Sequence, residues 1–302
     1  MYASFERQPT IKLFTISTNK EHPNLKMWTD TAKYWGWYYD LFITEVKSTK
    51  QFGAMIYKVE LLKHVLQNMD DVDYVAIVDA YDIIINNTPE ECINRIQKNN
   101  LENTLIVSKD GYDHTLDKVM FNRFFNRSFD CKMDFNLGVV IGSVRVIREY
   151  IKRMLYVWEN DNLCSNKFCS EQAHFQKLLN DYNLYKCSNN TLCIDKNHQF
   201  VHTEQANAYQ MILSMKSRTK YPIFIHVHGN HFKYEQTMIL HHYYNKVFSL
   251  SCSDECFKCC SYRYYTNVNI YRSVKIVIVK VLLCLFIICI WLKRIMKQKF
   301  II

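Results

Sequence analysis

Apolar and polar positions alternate over residues 11–18 (Ile-Lys-Leu-Phe-Thr-Ile-Ser-Thr), a pattern that predicts a strand. A helix is expected over 25–35 and a second strand over 37–43. From 54 to 69 the apolar residues Ile56, Val59, Leu62, Val65, Leu66 and Met69 fall at helical spacing, so this helix should lay one face on a sheet. Residues 74–85 then form an almost wholly apolar run, Tyr-Val-Ala-Ile-Val-Asp-Ala-Tyr-Asp-Ile-Ile-Ile, of the kind found in strands buried on both faces. Pro89 with Glu90 and Glu91 behind it opens a helix, and 104–108 reads as a strand. Past a polar loop come a strand over 135–141, helices over 144–158 and 170–179, and a late strand over 222–226. The β and α alternation of the first 110 residues argues for an α/β fold, a doubly wound sheet flanked by helices. With no internal repeat and no Gly- or Pro-rich linker, one folded domain over 1–250 is the expectation.

The run 74–85 also carries chemistry. An ionised carboxylate in such surroundings costs several kcal/mol unless a cation or strong donors answer it, so Asp79 and Asp82 need partners. A strand ending near Val78 and a turn through Ala80 and Tyr81 would bring both acids to the C-terminal edge of the sheet. Open α/β sheets bind ligands at that edge, and two oxygen donors there suit a hard divalent ion.

Composition changes the picture mainly through charge. The 49% hydrophobic content rules out disorder, and the bias toward Asn, Lys, Ile and Tyr resembles the product of an AT-rich genome, such as that of a large DNA virus. The net charge is +9, yet nine basic residues lie from Lys258 onward with no acid among them, so residues 1–257 are formally neutral. A nucleic-acid binder carries its basic stripe on the folded domain, and this excess sits on a tail. That tail contains the one segment long enough to span a bilayer, 274–292, with Lys280 near one end and Trp291, Lys293 and Arg294 as anchors at the other. The expected organisation is therefore a domain over 1–250, a Cys-rich basic juxtamembrane segment over 251–273, a transmembrane helix over 274–292 and a basic tail over 293–302.

Basic residues flank the span equally, four in 258–275 and four in 293–299, so the charge rule leaves orientation open. Residues 1–9 do not resemble a signal peptide, which favours a C-terminal tail anchor with the domain in the cytosol; insertion into a lumen is the alternative. In a lumen the short-spaced cysteine pairs Cys164/Cys169 and Cys187/Cys193 would form disulfides, and the sequons at Asn86, Asn126 and Asn189 would be usable. The cluster Cys252, Cys256, Cys259 and Cys260 equally suits disulfides, zinc or acylation beside a membrane.

Five segments together resemble the glycosyltransferase domain of the procollagen lysyl hydroxylases. They are Tyr57-Lys58-Val59-Glu60-Leu61-Leu62-Lys63, Val78-Asp79-Ala80-Tyr81-Asp82 with Thr88-Pro89-Glu90-Glu91, Phe135 to Gly142, Glu171-Gln172, and Pro222 to Asn230. They occur in the family's order and cover roughly 11–235. Two departures stand out: the family's acidic run is reduced to Glu171, and its L-N-S-G-G has become Phe135-Asn136-Leu137-Gly138-Val139.

The resemblance implies a GT-A-type mixed sheet flanked by helices, a UDP-sugar donor and a divalent cation, usually Mn²⁺. It implies Asp79 and Asp82 as metal ligands with His226, or alternatively His228, and Tyr81 stacking on the uracil. Thr18, Lys58, Asn136, Gly138, Gln172, Gly229 and Asn230 would lie along the donor, and Glu171 would be catalytic. Two carboxylates and an imidazole suit Mn²⁺ better than Mg²⁺. The leading expectation is a membrane-anchored transferase moving a hexose, glucose or galactose, from a UDP-sugar to a hydroxyl of a protein or glycan. A catalytically degenerate GT-A-fold protein, kept as a membrane-tethered scaffold, is the alternative, and a metal-dependent hydrolase is a weaker third. The tail makes the first test. Truncation near Asn267 should give a nearly neutral protein that stays in the supernatant after membrane sedimentation; a truncated chain that still pellets with membranes contradicts the anchor.

Overall fold

The structure is a computed structural model, and it describes residues 7–44, 53–109, 135–160, 171–181, 191–205, 222–228 and most of 240–248. All of these belong to one compact unit, Met1–Asn207 with Ser217–Ser251; the second unit, Ala208–Lys216 with Cys252–Ile302, lies outside the described residues. The expected juxtamembrane, membrane-spanning and tail segments fall there too. Among the described residues no helix is long and apolar enough to cross a membrane.

The elements run in the order β1 (Ile11–Ser17), α1 (Pro23–Tyr34), β2 (Tyr38–Ile43), α2 (Gly53–Asn68), β3 (Tyr74–Val78), β4 (Ile83–Ile85), α3 (Pro89–Lys98) and β5 (Leu105–Lys109). Then come β6 (Phe135–Ser143), α4 (Val144–Asn160), α5 (Glu171–Asp181), β7 (Leu192–Asp195), β8 (Val201–Gln205) and β9 (Phe224–His228). Six strands form the central sheet in the order β2-β1-β3-β6-β5-β7, and β4-β9-β8 form a second, smaller sheet.

The apolar run around Asp79 is buried on both faces because side chains alternate along a strand. Val75 and Ile77 join Leu62 and Val65 of α2, Met69 just beyond it, and Ile147, Tyr150, Ile151 and Met154 of α4 in one core. Tyr74, Ala76 and Val78 face the other way, onto Trp28 and Ala32 of α1, Ile93 and Ile96 of α3, and Val201 and Phe224 of the second sheet. The sheet is thus sandwiched, with helices α2, α4 and α5 on one face and α1, α3 and the small sheet on the other.

The central sheet is mixed, as the resemblance implies, and strand direction is reversed at one strand. Strand β6 runs antiparallel to both its neighbours, β3 and β5, while β1 pairs in parallel with β2 and β3. Its residues are buried from Phe135 to Gly142, as in a parallel strand, and apolar patterning carries no information about direction. Strands β7 and β8 have no predicted counterpart. They are four and five residues long and partly polar, and they are ordered by the loop between them. There the Asp195 carboxylate accepts from the amides of Gln199 (2.9 Å), Phe200 (2.7 Å) and Val201 (2.8 Å).

One of the three sequons is built into the fold. The Asn86 side-chain amide, the atom that would carry a glycan, donates to the Pro222 carbonyl at 3.1 Å. Thr88 of the same sequon caps α3, its hydroxyl accepting from the Glu91 amide at 3.2 Å with Pro89 at the first helical position. Replacing Thr88 by Ala should cost about 1 kcal/mol, read as a thermal midpoint lowered by about 2–4 °C, and Thr88→Ser should recover most of it. An unchanged midpoint in Thr88→Ala means the cap contributes nothing.

Candidate metal and donor site

The two acids leave the sheet where its strands diverge. The Thr15 hydroxyl donates to the Val78 carbonyl at 2.8 Å, and the Asp79 amide donates to the Gly138 carbonyl at 2.9 Å, so β3 ends with its last polar groups satisfied. The chain turns through Ala80 and Tyr81, with the Asn24 side-chain amide donating to the Tyr81 carbonyl at 2.7 Å. It then enters β4, which belongs to the other sheet and pairs Ile83 with His226 of β9. The Val227 amide donates to the Asp82 carbonyl at 2.8 Å, so main-chain pairing sets His226 beside Asp82.

The result is a cluster of Asp79, Asp82 and His226 whose potential ligand atoms all lie within 4.8 Å of one another. A divalent ion bonded to oxygen or nitrogen at about 2.0–2.6 Å reaches donors spread over that distance. His226 is 1% exposed, with Nε2 3.2 Å from Asp82 Oδ2. Burial disfavours the imidazolium, but the Asp82 carboxylate outweighs it and holds the histidine pKa above its usual value. Gly138 makes room for the ring. A Cβ there would lie 2.4 Å from His226 Cε1 and 2.9 Å from Nε2, so any side chain would displace the imidazole.

A second tier of charge backs the cluster. Lys58 of α2, 17% exposed, is ion-paired with Asp79, and its Nζ lies 3.4 Å from Glu171 Oε2. Burial works against the ammonium, yet the Asp79 and Glu171 carboxylates hold its pKa above the ordinary lysine value, so it stays charged. Burial of Glu171 raises its carboxyl pKa, opposed chiefly by the Lys58 ammonium. Glu171 opens α5, a position where an acid also favours the helix dipole. Glu171 thus combines a helix-start position with a contact to Lys58.

Tyr81 forms the other flank. Its phenolic oxygen accepts from the amides of Thr18 and Asn19, each at 2.9 Å, and lies 2.8 Å from Ser17 Oγ. Burial raises the phenol pKa, but these hydrogen bonds outweigh it and bring the pKa below its usual value. The ring packs on His22, centroids 4.2 Å apart with planes inclined by 35°.

The structure therefore brings Asp79, Asp82, His226, Lys58 and Glu171 to one corner, with Thr18 and Tyr81 at its edge. Asn136 is 3% exposed and turned onto its own strand, Oδ1 accepting from the Gly138 amide at 2.7 Å. That bond follows a register shift between Val107 and Ser108 of β5, where β5 meets Asn136. Gln172 lies half-buried in the first turn of α5. Gly229 and Asn230 fall outside the described residues, as do His231 and the side chain of His228. Sequence reasoning passed over Ser17, Asn19, His22, Asn24 and Tyr150. Only His22 carried a local signal, since the residue before Pro23 at a helix start is a capping position.

No protein-family profile matches the sequence, and no curated protein matches it. Solved structures do resemble it. One is a glycosyltransferase involved in the glycosylation of the major capsid of PBCV-1, with a TM-score of 0.49 and 12% identity over 78% of this chain and 100% of that one. What stands independently of that likeness is the class of fold: a mixed α/β sheet flanked by helices, with an acid–histidine cluster at the strand ends.

Gly138→Ala tests the cluster. The methyl group must push His226 away, so Mn²⁺ affinity measured by calorimetry should fall by about tenfold or more while the far-ultraviolet dichroism stays native. Unchanged Mn²⁺ affinity would remove His226 from the ligand set.

Proposed function

We propose that the protein is a divalent-metal-dependent glycosyltransferase of GT-A type. It moves a hexose, glucose or galactose, from a UDP-sugar to a hydroxyl of a protein or glycan. The observation that carries this reading is the convergence of Asp79, Asp82 and His226 within 4.8 Å, on the segments that resemble the procollagen lysyl hydroxylase glycosyltransferase domain. The charge count supports it: with His226 neutral, as a metal ligand must be, and Glu171 ionised, three carboxylates face one ammonium, leaving two negative charges that a divalent cation such as Mn²⁺ would neutralise.

Asp79, Asp82 and His226 would hold the ion, which when bound supplies Lewis-acid stabilisation of the charge on departing UDP. Tyr81, its hydroxyl anchored by Ser17 Oγ and by the amides of Thr18 and Asn19, offers its ring to the uracil. Lys58 holds Asp79 and Glu171 in place and sets a positive charge beside the diphosphate. Glu171, braced by Lys58, binds the sugar hydroxyls or takes the acceptor's proton onto its carboxylate. Anchoring through 274–292 with the domain in the cytosol belongs to the same reading, and the bonded amide of Asn86 accords with that side.

UDP release from a panel of nucleotide sugars with Mn²⁺ tests the activity. Asp79→Ala or Asp82→Ala should abolish both turnover and Mn²⁺-dependent UDP binding with the fold intact. Glu171→Gln should lose transfer by about 10²-fold or more while keeping UDP and Mn²⁺ binding. Normal Mn²⁺-dependent UDP affinity in both aspartate variants would refute the site, and near-normal turnover in Glu171→Gln would return that residue to a capping role. A wild-type protein that binds UDP and Mn²⁺ yet releases no UDP from any sugar would favour the scaffold alternative.

A further inference from the structure

The turn between β1 and α1 holds two aromatic rings in a fixed relation beside the acid pair. Tyr81 cannot swing, because Ser17, Thr18 and Asn19 grip its hydroxyl and Asn24 grips its carbonyl. His22 cannot swing freely either. Its Nδ1 accepts from the Asn24 amide at 3.2 Å as the cap of α1, so capping orients the imidazole that meets the phenol ring at 4.2 Å. Asn24 joins the two, its main-chain amide bonded to His22 and its side chain to the Tyr81 carbonyl. Both rings are half-buried, and residues 18–20 of the same turn are exposed. A helix cap needs only a short oxygen side chain, and Ser, Thr, Asp or Asn serve it best. The imidazole therefore supplies something beyond capping, and what it touches is the ring of Tyr81.

We infer that His22 is a positioning residue of a nucleobase subsite: its imidazole backs the Tyr81 ring, which then presents one fixed face to the flat base of a uridine nucleotide. This rests on the functional reading above and extends it to a residue outside the resembling segments. A preformed stack loses less freedom when a ligand arrives, so backing Tyr81 strengthens base binding without His22 touching the phosphates or the sugar. Tyr81 lies in the turn between Asp79 and Asp82, so a diphosphate drawn to the acid cluster brings its base alongside the two rings.

The test separates ring from cap on the full-length chain. His22→Asn keeps a good cap and removes the ring, while His22→Phe keeps a ring and removes the capping nitrogen. Affinities for UDP and for inorganic pyrophosphate, both with Mn²⁺, are measured by calorimetry, with thermal midpoints alongside. His22→Asn should weaken UDP by about three- to tenfold, leave pyrophosphate unchanged and hold its midpoint, and His22→Phe should recover UDP affinity. Equal UDP affinity in His22→Asn and wild type overturns the inference, as does an equal loss for both probes, which marks a structural role. Wild-type protein that binds pyrophosphate but not UDP overturns it by a different route, because the uridine-donor reading then fails first.

Discussion

Asp79 and Lys58 form the contact on which the corner depends. The aspartate closes a strand whose other residues are apolar, and its charge must be met within the fold. Lys58 meets it from α2, a helix held against the sheet by Leu62, Val65 and Met69. The same ammonium reaches Glu171 at the start of α5, so one cation ties three elements together. Removing a partner from such a group strands a charge, which costs more than the pair itself contributes.

The second sheet exists at this corner to deliver one ring. Strand β4 is three residues long, too short to stand alone, yet its pairing with β9 fixes Asp82 and His226 side by side. Gly138 completes the approach from the central sheet, since nothing larger than hydrogen fits between β6 and the imidazole. Carboxylates from the edge of the large sheet and an imidazole from the small one thus converge across the gap between the sheets. The two carboxylates sit in a short turn pinned between strands and the imidazole on a strand, which favours a preorganised site.

Much of this was legible in the chain. The buried run, its break after Val78 and the two acids followed from composition and spacing, because desolvating a carboxylate is costly wherever it happens. Helices α2, α3 and α4 followed from periodicity and from Pro89 with its acids. Strands β7 and β8 did not, because their ordering comes from Asp195 gripping three amides and not from any pattern of their own. Tyr150 has the spacing of an ordinary core residue, and only the packing of α5 sets Phe175 of that helix against its ring.

By itself the sequence determined an α/β domain, a strand-end acid pair and a charge excess confined to its last 45 residues. The tertiary structure decided that β6 runs antiparallel, that β4 leaves for another sheet, and that His226 meets Asp82. It also decided that His22 meets Tyr81. The division has one cause. Burial and local capping act on each residue through its own chemistry, whereas strand direction and convergence of donors depend on contacts between residues far apart in the chain, such as Tyr74 with Ser143 and Asp82 with His226, and those exist only once the sheets have packed.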